Sequence, residues 1–161
     1  MIISVAKITE DVADRLGESL TLECEPEESP FPGFAARVRA LLPGVVRELL
    51  MTSPPVLLLG WKALEGRLTV DDDGNGLLAL PADFLRLGSL NVTGWNRLVC
   101  REEVSPDGVT CLRLHRCRPS ATLIRGSYLP APQLTAEGME ISPAIYPLVV
   151  EKIAGCMREE N

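Results

Sequence analysis

The chain has 161 residues, of which 46% are hydrophobic and 24% charged, with a formal net charge of -6. That length points to one domain able to bury roughly 70% of its unfolded surface without covalent staples. The acidic balance and the 4% aromatic content argue against a nucleic-acid clamp, which needs clustered Lys and Arg to neutralise phosphates and aromatic rings to stack bases.

The N-terminus MIISVAKITEDVADRL lacks a basic region ahead of an apolar core, so it does not read as a secretory signal. The longest apolar run, near Val56 to Trp61, falls far short of the roughly 18 to 20 residues that span a bilayer. Cys24, Cys100, Cys111, Cys117 and Cys156 are odd in number and scattered, which suits free thiols in a reducing compartment. The expected location is therefore cytoplasmic.

In chain order, Thr9 is a candidate cap for a short helix over Glu10 to Leu16, stopped by Gly17 in the left-handed conformation. The segment from Gly17 to Phe34, rich in Glu and Pro, reads as a surface connection. Phe34 to Leu42 follows as a helix with Phe34, Val38, Leu41 and Leu42 on its apolar face. Pro43 either interrupts that helix or opens a second one that packs through Val45, Val46, Leu49 and Leu50. Pro54 and Pro55 end the helical region.

From Val56 the pattern changes to strands. Leu68 and Val70 enter the turn DDDGNG and Leu77 to Leu80 leave it, a hairpin in which Asn75 and Gly76 supply positive φ. Pro81 to Arg86 is expected to form one helical turn, with Pro81 first, Asp83 near the positive end, and Leu80, Phe84 and Leu87 on one side. Leu90 and Val92 alternate into Thr93-Gly94, after which Trp95 to Glu103 resumes as a strand. A turn at Ser105 to Gly108 then returns the chain through Val109 to Arg116, and Ala121 to Ile124 adds a further strand. At the end Ser142 caps a helix with an apolar stripe of Ile145, Leu148, Val149, Ile153, Ala154 and Met157. Pro143 begins this helix, and Pro147, an interior proline, is its flaw, with Tyr146 or Pro147 as the alternative start. The expected class is α+β: N-terminal helices, central antiparallel hairpins in a small sheet, and a C-terminal amphipathic helix.

Residue chemistry names no catalytic, cofactor or metal site. Asp71, Asp73, Asn75 and Gly76 match the opening of a calcium loop, but the twelfth position is Ala82 where a bidentate Glu is required, so a solvated turn is the better reading. Cys111, His115 and Cys117 on one strand face, with Cys100 on the facing arm, lack the paired spacing of a zinc site. Cys117 between Arg116 and Arg118 is a candidate reactive thiol, and His115, the single histidine, has no nucleophile tied to it by a local motif. Arg113, Arg116, Arg118 and Arg125 make a locally basic region, read as a docking patch or as charges paired with Glu23 to Glu28. Trp61 and Trp95 each stand beside a glycine and read as core or interface anchors.

Five motifs come in a fixed order: R-E-L-L (Arg47 to Leu50), G-W-K-A-L, an acidic turn, L-P-A-D-F-L-R-L (Leu80 to Leu87) and G-W-N-R-L-V (Gly94 to Val99). This order, with S-P-A-I-Y-P-L-V-V-E-K-I-A (Ser142 to Ala154) at the end, resembles the tailed-phage and prophage head-to-tail connector proteins, the adaptors or gatekeepers below the portal. The resemblance implies an α+β virion subunit that forms a ring of its own copies on the portal, contacts portal and tail proteins, passes DNA as cargo, and performs no catalysis. Ring closure uses heterologous contacts, in which one surface meets a different one on the neighbour. Trp61, Trp95 and the helix ending at Met157 are the implied contact candidates, with Asn75, Gly76, Pro81, Asp83 and Phe84 as structural ones. Two departures accompany it: such adaptors often dock through a long C-terminal tail, whereas only Arg158 to Asn161 follow the last helix here, so portal docking by that route is not expected, and the β content exceeds that of helix-dominated members. The other classes left open are an intracellular accessory domain that binds a protein partner and a small enzyme using Cys117 or His115.

Overall fold

The computed structural model describes residues 1–17, 33–95, 100–105 and 107–159. The fold is α+β, with three helices and antiparallel sheets. The chain divides into two compact units: Met1–Leu59 joined by Pro132–Asn161, and Gly60–Ala131 inserted between them.

The first unit is helical. A short strand β1 (Ile2–Ile3) leads into α1 (Val5–Leu16), and α2 (Phe34–Thr52) and α3 (Tyr146–Glu159) pack with it pairwise. Helix α1 begins a turn earlier than Thr9 suggests. Ser4 is the cap, its hydroxyl accepting the Lys7 N–H at 3.2 Å, while Thr9 is a buried interior residue whose hydroxyl donates back to the Val5 carbonyl at 2.7 Å. Gly17 stops the helix at φ 74°, as expected from a residue without a Cβ.

Pro43 neither ends α2 nor starts a new helix; 19 residues run through it. Val38, Leu42, Val45, Val46 and Leu50 on both sides of Pro43 are all buried, so packing of one continuous apolar face outweighs the hydrogen bond that the proline forfeits. Ser53 ends the helix and Pro55–Leu57 forms a single 3-10 turn.

Helix α3 starts at Tyr146, one residue before Pro147, where a missing N–H costs least. Ile145, Val149, Ile153, Ala154 and Met157 are buried, but Leu148 is 47% exposed and lies off the stripe. Ser142 acts at a distance as well as locally: its carbonyl accepts from Ile145 and Tyr146, and its hydroxyl accepts the Leu59 N–H at 2.8 Å. Strand β1 pairs antiparallel with Met139–Glu140, which is β9 in chain order.

The inserted unit is two antiparallel sheets. One joins β2 (Lys62–Ala63), β8 (Cys117–Pro130) and β5 (Phe84–Trp95), with β8 in the middle. The other runs in the order β3 (Leu68–Val70), β4 (Gly76–Ala79), β7 (Thr110–Leu114) and β6 (Cys100–Val104). Leu78, Leu80 and Leu112 meet Leu64 and Tyr128 in one core cluster, and Leu114 meets Val92, Cys117 and Ala121 in a second, so residues from both sheets share one interior.

Both expected hairpins are present, β3 with β4 and β6 with β7. Positive φ in the first turn belongs to Gly74, at 79°, and not to Asn75 or Gly76. The helical turn expected over Pro81 to Arg86 is not formed: a single turn closes from the Phe84 N–H to the Pro81 carbonyl, and Phe84 to Arg86 are already the start of β5, whose pairing with β8 takes their backbone. Thr93-Gly94 lies inside that strand instead of breaking it; Gly94 sits at φ 71°, where the pairing with β8 shifts register. The strand expected over Ala121 to Ile124 is the middle of the much longer β8.

Candidate functional site

The two motif segments, G-W-K-A-L and L-P-A-D-F-L-R-L, meet at one corner of the inserted unit. Lys62 and Ala63 in β2 pair with Tyr128 and Ser127 of β8, and the Leu64 N–H continues the ladder to the Gly126 carbonyl at 2.9 Å. This brings Lys62 to the turn at Pro81–Phe84. The Lys62 ammonium donates to Asp83 Oδ2 at 2.9 Å, and the Tyr128 hydroxyl donates to Asp83 Oδ1 at 2.8 Å. Both carboxylate oxygens are thus engaged, and the Asp83 carbonyl accepts the Ala131 N–H at 2.6 Å. Lys62 first, and Tyr128 after it, hold the Asp83 carboxyl below the ordinary range; burial first and Asp83 next push the Tyr128 phenol up.

The rings follow the same corner. Phe84 stacks on Tyr128 with centroids 5.8 Å apart and planes at 21°. Trp61 lies against Gly88: a Cβ there would stand 2.8 Å from Trp61 Cζ3 and 2.5 Å from Ser127 Oγ. The glycine that permits this approach is across the sheet in β5 and not the neighbouring Gly60. Ser127 Oγ also accepts the Ser89 N–H at 3.0 Å, beside a hydroxyl pair between the two serines.

The acidic turn is occupied with itself. Asp71 Oδ1 accepts the backbone N–H of Asp73 at 3.0 Å and of Asn75 at 2.8 Å, and these bonds, led by Asn75, hold its carboxyl below the ordinary range. That is a turn-closing pattern, with the carboxylate aimed at its own loop. Gly76 is needed for a different reason from the turn: a Cβ there would come within 2.9 Å of Cys117 Sγ.

Cys111 and Cys117 do not share a strand face, because the chain turns at Arg116, a non-glycine residue at φ 60°, and Cys117 opens β8. Cys117 is buried, and that burial pushes its thiol up, the opposite of what a reactive thiolate requires. Among the described residues no group of three or more His, Cys, Asp and Glu is placed to hold a metal ion. Arg113 pairs with Glu103 at 3.0 Å; the pairing with Glu23 to Glu28 falls outside the described residues.

Of the implied contact residues, Met157 is 3% exposed and belongs to the helical core. Trp95 is half-buried against Val92, Leu114, Cys117 and Ala121, with its indole N–H enclosed and unpartnered among the described residues. The residues that sequence reading passed over are Lys62, Tyr128 and Gly88. Only the long-range pairing of β2, β8 and β5 makes them neighbours of Asp83 and Trp61.

No described helix is long and apolar enough to cross a membrane. Comparison with protein-family models and with curated proteins finds no match.

Proposed function

We propose that this chain is a structural subunit of a tailed-phage or prophage head-to-tail connector, assembling with copies of itself into a ring on the portal through which DNA passes, without catalysing a reaction. The observation that supports this reading is the fate of the motifs that carry the resemblance. G-W-K-A-L and L-P-A-D-F-L-R-L engage one another through Lys62 and Asp83, and each also packs on the strands beside it, Trp61 on Gly88 of β5 and Phe84 on Tyr128 of β8. Such residues brace a joint. They fix the shape of an inserted β unit, which is what a subunit needs if its neighbours are to meet it in one orientation.

Sedimentation velocity of the purified chain, alone and mixed with portal protein, tests the proposal. The expected result is co-sedimentation of several copies with the portal assembly. A chain that stays monomeric in both conditions contradicts it.

A further inference from the structure

An apolar ridge follows α2. From Leu49 to Trp61 the sequence carries no charged residue. Within that run Val56 is 87% exposed, Leu59 64% and Met51 47%, although the segment is tied down by buried Leu58 and by the Leu59 N–H on Ser142. Side chains of this type left in water on a fixed backbone mark a surface that a partner covers. The ridge also borders the C-terminal end of a 19-residue helix with no basic residue in its last turn, so its electrostatic rim is the negative end of the α2 dipole; Glu48, one turn back, is already paired with Lys152 and adds no free charge.

A surface of the complementary kind exists on the other unit. Between Asn91↔Arg125 and Val92↔Leu123 the β5 and β8 pairing skips a residue, and the bulge pushes Ile124 outward to 58% exposure with Arg125 exposed beside it. Arg125 makes no ion pair among the described residues. An apolar knob flanked by a free cation matches an apolar ridge flanked by a negative helix end.

We infer that the Ile124-Arg125 bulge of one copy seats on the Met51–Leu59 ridge of the next, Ile124 against Val56 and Leu59, and Arg125 toward the C-terminal carbonyls of α2. The inference rests on the connector reading and names its copy-to-copy surfaces. The two surfaces differ, so the contact is heterologous and each copy keeps one of each free for a further neighbour.

A charge-swap cycle tests it, read by sedimentation of the full chain with portal protein, with circular dichroism to show that each variant is folded. Val56→Lys and Arg125→Glu alone are expected to weaken association by about tenfold or more, since each buries a like or unmatched charge at the contact. The double variant, which sets a cation and an anion on opposite sides of the contact, is expected to recover part of the loss. A photo-reactive phenylalanine analogue at Leu59, in mixed isotopically light and heavy chains, is expected to cross-link to residues 117–130 of a different copy. If wild-type chains assemble but both single variants assemble equally well, or the cross-links fall elsewhere, this inference fails and the connector reading stands. If wild-type chains never assemble, both fail.

Discussion

Asp83 shows how one residue ties sequence to shape. Its folded carboxyl is held below the ordinary 3.8, first by Lys62 and then by Tyr128. A depressed carboxylate contributes stability that is present above that ordinary value and lost as pH falls through the folded one. Asp83→Asn is therefore expected to lower stability at neutral pH by about 1 kcal/mol, a modest figure because the pair is partly solvated. It is also expected to flatten the fall of Tm as pH drops below the ordinary carboxyl value of 3.8. Thermal melts of the two proteins across that range check both statements; parallel pH profiles would remove Asp83 from the account. Asp11 acts with the same sign: burial pushes its carboxyl up, but hydrogen bonds from Lys7 and Tyr146 outweigh it and leave it lowered. Gly138 is the least replaceable glycine, at φ 131° with a Cβ that would lie 2.0 Å from the Ile3 carbonyl oxygen. Gly138→Ala is expected to cost about 2 kcal/mol or more and to free β1, seen as faster hydrogen exchange in Ile2–Ile3.

Elements were legible where a local pattern decides them. Most of the α3 stripe follows from spacing, though Leu148 lies off it and the helix starts at Tyr146 and not at Pro143, and the turn at Ser105 to Gly108 follows from its residues, with Gly108 at φ 79°. Legibility failed where local signals tie and tertiary packing decides. Ser4 and Thr9 are equally good caps by type, and the choice falls to Ser4 because Ile8, Val12 and Ala13 must all reach the core. The strand expected over Ala121 to Ile124 runs on in both directions as β8, through Pro119. Strand β2 reaches only Ser127 and Tyr128 on that flank, so Pro119 meets no β2 partner and its missing N–H is tolerated. The same reasoning makes Pro43 a test. If packing alone carries α2 through it, Pro43→Ala is expected to raise stability by about 1 to 3 kcal/mol, measured by denaturant unfolding. A loss would mean that the proline serves the helix. The ion pairs Arg15 with Glu151 and Lys152 with Glu48 join α1 and α2 to α3 but are exposed and screened by solvent, so each is expected to contribute little to stability.

At the scale of the molecule, the candidate corner was half legible. Asp83, Phe84 and Trp61 stand out by type and by the turn residues near them, whereas Tyr128 and Gly88 join them only through pairing across dozens of residues. What the sequence offered for function was an order of motifs, and the fold turns that order into a braced β unit inserted in a helical one. On the connector reading proposed above, the brace serves assembly. Native mass spectrometry of the chain with portal protein measures this most directly. It predicts a discrete complex carrying several copies on one portal assembly, lost when Val56→Lys is introduced. A spectrum of monomers beside bare portal, for the folded wild-type chain, would contradict it.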